Sequence, residues 1–307
     1  MISRSTLVGA LVVVELAIVG LALSAFSGLR ATTPAWGSSA FQFGPPAVHP
    51  PALDRTFVTG PAPRVVVDVR DVDVRVDTHA APTVVASEAL QIAGYMSGTV
   101  PAIQADASGP SVRITMAGNG PHFVLGDVSR TLRLAVPEGS AIEIVSAGRI
   151  DASGLRAKLV AHTPDGSVHV RDHRGDLDLS SSDGNIELVD VQGADLAFNT
   201  HDGRLYLTRV AGDRIDGHTN HGRIYAVDVT AHDGALSTHF GRISASFTGQ
   251  SDATVAVSTR TEHVSVSGLP SGQLSERARS VQLGAGRGRF EVSTDDGAVN
   301  ISEGASS

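Results

Sequence analysis

LDLSSSDGNIELVDVQGAD (residues 177–195), LAFNTHDGRLYLTRVAGDR (196–214) and IDGHTNHGRIYAVDVTAHD (215–233) are consecutive stretches of this chain. In each, a Ser or Thr stands three places before a glycine and an aliphatic residue two places after it: Ser181, Gly184, Ile186; Thr200, Gly203, Leu205; Thr219, Gly222, Ile224. The same phase extends outward to Thr163, Gly166 and Val168 and to Thr238, Gly241 and Ile243, with a spacing of 18 or 19 residues. A constant period with constant internal phase is the mark of one supersecondary unit stacked on copies of itself.

Numbered from the repeat glycine, the apolar residues fall in fixed columns. Position −7 holds Leu159, Leu177, Leu196, Ile215 and Gly234, and position −5 holds Ala161, Leu179, Phe198, Gly217 and Leu236. Positions +2 and +4 hold Ile186 and Leu188, Leu205 and Leu207, Ile224 and Ala226, Ile243 and Ala245; Val191, Val210 and Val229 stand at +7. One-parity apolar residues on two short segments about a turn read as two half-buried strands per coil. Neighbouring coils, pairing in parallel at about 4.8 Å, bury that face continuously. The predicted fold is all-β: a single-domain parallel β-solenoid of 18–19-residue coils over 146–301, preceded by an N-terminal transmembrane helix.

Toward the ends the pattern loosens. Val65, Val67, Val69, Val72, Val74 and Val76 alternate with polar residues, and Thr83–Leu90, Ser111–Met116 and Thr131–Val136 read as further strands. Residues 64–145 are therefore expected to be irregular strands capping the stack. Outlying coils show as Gly148 with Ile150, Thr259 with Glu262 in place of glycine and Val264, and Thr294 with Gly297, Val299 and Ile301. Gly268 to Gly288 interrupts the last interval and reads as a loop.

Before the coils, Leu7 to Phe26 is an apolar run broken only by Glu15. Its length matches a bilayer's hydrocarbon core, at roughly 20 residues, better than a secretory h-region of roughly 7–15. Residues 1–26 read as a signal anchor, with a cleaved signal peptide as the alternative because Ala25, Ser27 and Gly28 are small. Residues 27–63 carry Pro34, Pro45, Pro46, Pro50, Pro51, Pro61 and Pro63 and read as an extended linker. The expected localisation is the cell membrane, single-pass, with the solenoid outside the cytoplasm.

Composition narrows the function. Aromatic residues are 4% of 307, so Val, Leu, Ile and Ala must build the core. A net charge of −8 argues against a nucleic-acid partner, which would require a basic face. The chain has no cysteine, which excludes disulfides, thiolate metal sites and a cysteine nucleophile.

Leu132-Arg133-Leu134-Ala135-Val136-Pro137, then Ile142-Glu143-Ile144-Val145-Ser146, then the run of Ser/Thr-x-x-Gly-x-Ile/Leu coils resembles the bacterial adhesin-type domains of unknown function called toast-rack domains. The resemblance spans roughly 64–301. It implies a β-solenoid at the cell envelope, in some members linked to envelope-stress signalling, and it supplies no catalytic residues.

Two outward columns invite a functional reading. Asp165, Asp183, Asp202, His201, His221 and His239 lie beside the repeat glycines, where Asp and Asn suit turns with positive φ. Zinc would need three or four converging ligands. Of the twelve histidines of the chain, those within the coils alternate faces and positions, so no metal or other cofactor is expected. Arg204, Arg223 and Arg242 occupy +1 on successive coils, with Tyr206 and Tyr225 at +3 on two of them. Stacked guanidiniums beside tyrosine suit an anionic or sugar ligand, and these residues form the candidate ligand-binding strip. Asp202 and Glu187 are the groups that would neutralise it. The expected function is non-enzymatic binding of a cell-wall polymer or envelope protein. The alternative is an envelope-stress signalling or scaffold component acting with membrane partners.

Overall fold

A computed structural model describes residues 52–97, 99–118, 123–269 and 271–304. The 1–26 segment and most of the 27–63 linker fall outside them. Among the described residues no helix is long and apolar enough to cross a membrane, and all regular structure is strand.

The strands wind into a β-solenoid with two faces. On the first, the parallel order is β6 (Ser111–Ala117), β2 (Arg64–Asp68), β8 (Ala141–Val145), β10 (Leu159–Thr163) and β12 (Leu177–Ser181). The C-terminal parts of β13 (Ile186–Thr200), β14 (Leu205–Thr219) and β15 (Ile224–Phe240) follow, then β21 (Gly288–Asp296) and β17 (Ala253–Thr259). On the second face the order is β7 (Phe123–Pro137), β3 (Asp73–His79), β9 (Ile150–Ser153) and β11 (Val168–Arg174). It continues through the N-terminal parts of β13, β14 and β15 to β16 (Ile243–Phe247), β22 (Val299–Glu303) and β18 (Val264–Ser267). Burial alternates along every central strand, and the inward columns merge into one apolar core. Its largest fully buried side chains are Phe198, Phe247 and Phe290. Phe198 fits because the next coil has Gly217 at the facing position, where a Cβ would lie 2.4 Å from the Phe198 ring.

Both ends depart from sequential stacking. The first coil, β2 with β3, lies between the coil of β6 and β7 and the coil of β8 and β9. The last in sequence, β21 with β22, is likewise inserted between β15–β16 and β17–β18. At the N-terminal end the chain starts one coil inside the edge, goes out to it and re-enters beyond its starting coil; at the C-terminal end it goes out to the edge and comes back one coil inside it. Read in simple sequence order, the repeat predicts neither insertion, because every inward column offers an equivalent partner.

Three of the outermost parallel strands, β6, β7 and β17, are then covered by antiparallel ones, which satisfies edge groups that would otherwise template association. β4 (Thr83–Ser97) pairs with β7, β5 (Ala102–Ser108) with β6, and β20 (Ala278–Gln282) with β17. β19 (Ser271–Ser275) pairs with β20, so Gly268 to Gly288 is largely a hairpin rather than the expected loop. β1 (Asp54–Val58) pairs antiparallel with β4, which removes 54–58 from the expected linker. The prolines at 61 and 63 follow that strand without interrupting it.

The repeat glycines have a different cause from the one their sequence context suggests. None of Gly166, Gly184, Gly203, Gly222 and Gly241 has positive φ. A Cβ on Gly184, Gly203 or Gly222 would instead lie 1.9, 1.9 and 1.8 Å from the carbonyl oxygen of the preceding coil's glycine. Only glycine allows the turns to approach so closely. Positive φ falls six residues later, at the opposite corner, on Asp172, Asp190, Arg209 and Asp228, at 45°, 57°, 53° and 56°. Asp tolerates that conformation through its short polar side chain; Arg209 is held there with Nε 2.5 Å from Asp190 Oδ1.

Candidate functional site

The Ser/Thr column turns inward. Thr163, Ser181, Thr200, Thr219 and Thr238 are buried, and each hydroxyl donates to the carbonyl of the preceding coil's repeat glycine at 2.9–3.2 Å. In Thr163, Ser181, Thr200 and Thr219 it also accepts the N–H of its own coil's glycine at 2.9–3.2 Å. Each hydroxyl therefore ties its turn to the turn before it, and no reactive group is left over.

On the outer side of the second face, the +3 residues form a register column: Asp151, His169, Glu187, Tyr206, Tyr225, Ser244 and Asn300. Its first half is saturated with charge pairs. Asp151 meets Arg149 at 3.0 Å and His169 at 3.1 Å, and His169 Nε2 lies 3.4 Å from Glu187. The middle is aromatic: Tyr206 and Tyr225 stack with ring centroids 5.5 Å apart and planes 8° from parallel. Arg204 Nη1 donates to Tyr206 Oη and Arg223 Nη1 to Tyr225 Oη, both at 3.4 Å. Beyond Tyr225 the column shrinks to Ser244, Asn300 and Ser265. This leaves a depression of about 450 Å³ lined by Tyr225, Ser244, Ser246, Ser265, Asn300 and Ser302, among others.

The structure brings Arg204, Tyr206, Arg223 and Tyr225 into contact, with exposed Arg242 next in the +1 column but lacking a tyrosine beside it. The two carboxylates expected to neutralise the arginines are engaged elsewhere. Glu187 faces His169, and Asp202 Oδ1 accepts from His201 Nδ1 at 2.9 Å and His221 Nδ1 at 2.7 Å. Among the described residues none of the three guanidiniums is paired with a carboxylate. The two histidine bonds also hold the Asp202 carboxyl below the usual range.

That second arrangement corrects the expectation that the histidines do not converge. His201, Asp202 and His221 lie on two adjacent turns, with one potential ligand atom from each within 4.8 Å of the others. The signal was present as His-Asp-Gly followed by His-Gly one period later. It is diagonal, −2 on one coil and −1 on the next, so a column-by-column reading passes over it.

The Toastrack DUF4097 family matches residues 64–302, from β2 to β22. This chain belongs to that family. The Toastrack match thus covers the whole solenoid except β1, together with the strip and the histidine turns. No curated protein matches the chain. Among solved structures it is similar to that of a "putative cell adhesion protein" from Clostridium sporogenes, with 11% identity over 82% of this chain and 99% of that chain and a TM-score of 0.23.

Proposed function

We propose that this Toastrack domain is a non-enzymatic binding module of the cell envelope, anchored by its N-terminal segment and held outside the cytoplasm. The +1 and +3 columns of its second face grip an anionic saccharide polymer. The observation that carries this reading is that, among the described residues, three successive guanidiniums lack a carboxylate partner beside a stacked tyrosine pair. Guanidiniums so placed favour an anion laid across them, since bidentate charge-assisted bonds are among the stronger polar contacts. The aromatic stack stops at Tyr225, and the depression begins there. A sugar ring seated over Ser244 continues the stack as a further rung, with serine and asparagine side chains positioned for its hydroxyls. Binding is favoured over hydrolysis because a glycosidase needs two carboxyl groups flanking the bond, whereas the carboxylates bordering this strip, Glu187 and Asp202, are paired with histidines.

Co-sedimentation of the purified full chain with anionic cell-wall polysaccharide tests the reading. Wild type is expected to sediment with the polymer, and Tyr225→Ala to lose about tenfold in affinity, on the scale of one stacked ring. Equal binding by wild type and Tyr225→Ala would remove the strip from the account.

A further inference from the structure

Asp202 and His221 occupy the same turn position on adjacent coils, and His201 precedes Asp202 in the chain. The turns are fixed relative to one another by backbone: the His201 carbonyl accepts the N–H groups of Asn220 at 3.0 Å and His221 at 2.9 Å. The His221 ring is held from its far side by Phe240 of the following coil, stacked at 5.3 Å and 6° from parallel. Both Nδ1 atoms point at one carboxylate oxygen, at 2.9 and 2.7 Å. Two ligands bound to one ion at about 2.1 Å lie about 3.0 Å apart at right angles and about 3.4 Å apart at the tetrahedral angle, close to these separations; since both rings now aim Nδ1 at Oδ1, they turn on binding so that the three atoms face one point. Of the other histidine–aspartate contacts, His232 with Asp233 and His239 with Asp295 bring together only two such groups each, and His169 meets Asp151 and Glu187 through opposite ring nitrogens, so those two carboxylates do not converge on one ring atom.

We infer that His201 Nδ1, Asp202 Oδ1 and His221 Nδ1 form a binding site for a divalent transition-metal ion of the Ni²⁺, Cu²⁺ or Zn²⁺ class. Two imidazoles and one carboxylate select this class over Ca²⁺ and Mg²⁺, which take oxygen ligands. In binding, the ion takes the place of the protons the two rings now direct at Asp202: a neutral ring takes a proton up again at Nε2 from solvent, with no net release, and a doubly protonated ring gives one proton up to solvent. All three residues are exposed, so the remaining coordination positions face outward, open to water or to a donor atom on another molecule. Phe240 acts behind the ligands as a positioning residue, limiting rotation of the His221 ring.

Isothermal titration of the untagged full chain with NiCl₂ and with ZnCl₂ tests the site. The expected result is one ion per chain bound at or below about 10 µM, with His221→Ala and Asp202→Asn each weakening it at least about tenfold. His232→Ala should bind as wild type, and circular-dichroism melting should show all variants folded. Absence of binding at about 100 µM metal, or equal affinity in the wild type and Asp202→Asn, would overturn the proposal. So would Ca²⁺ competing on equal terms with Ni²⁺.

Discussion

Two columns run the length of this solenoid at the same coil spacing and differ in what they tolerate. The inner one, Thr163 to Thr238 with the glycines three residues on, repeats because every coil meets the same neighbour: a hydroxyl reaching one carbonyl, and a glycine too close to another backbone to carry a side chain. The outer one passes from Asp151 and His169 through Glu187 to Tyr206 and Tyr225 and then to Ser244. Solvent imposes no common requirement there, so variation is free to encode recognition. The difference teaches that in a stacked fold the regular positions report architecture, and function is to be sought where the repeat lapses.

Substitutions in the inner column should break the fold while leaving outer chemistry irrelevant. Gly203→Ala drives a Cβ to 1.9 Å from the Gly184 oxygen. It is expected to cost about 3 kcal/mol or more, since neither backbone can retreat without breaking register; urea titration would read it, and a loss under about 1 kcal/mol would contradict the steric account. Thr219→Val keeps the shape but strands the Gly203 carbonyl and the Gly222 N–H. A loss of about 1–3 kcal/mol is expected by the same measurement.

One inner position sharpens the comparison by departing from its column. His173 stands where Val191, Val210 and Val229 stand in later coils and is fully buried. Its Nε2 donates to the Gly175 carbonyl at 3.1 Å, and among the described residues its Nδ1 has no partner. Burial lowers its pKa, against a weaker raising effect of the backbone carbonyls. A histidine depressed on folding contributes fully above its unfolded pKa of about 6.5, and that contribution is lost as pH falls through it toward the folded value. Melting temperature should therefore fall below about pH 6.5 more steeply in wild type than in His173→Val. Parallel pH profiles for the two proteins would show that His173 is not the cause.

How much could be read from the chain follows the same division. The coil phase, the inward columns and the two-strand unit are legible because each depends on contacts one period away, and the period is visible. The end coils are not, since their inserted order depends on which of several equivalent partners a strand meets. β1 was hidden among prolines, and the positive-φ corner at Asp190 and Arg209 carries no glycine to announce it. At the surface, Arg204, Tyr206, Arg223, Tyr225 and Arg242 could be named from spacing. The fate of Asp202 could not, because sequence does not say whether a carboxylate turns to an arginine or to a histidine on the adjacent turn.

If recognition resides in the lapses of the repeat, folding and binding must separate cleanly. The direct measurement is affinity for anionic cell-wall polysaccharide across a salt series, with the melting temperature recorded beside it, for wild type and the triple variant Arg204→Ser, Arg223→Ser, Arg242→Ser. The expected outcome is an unchanged melting temperature, affinity reduced by about tenfold or more, and a shallower dependence on salt, since exposed guanidiniums contribute little to stability but much to anion binding. Identical affinity and identical salt dependence in the two proteins would contradict the account.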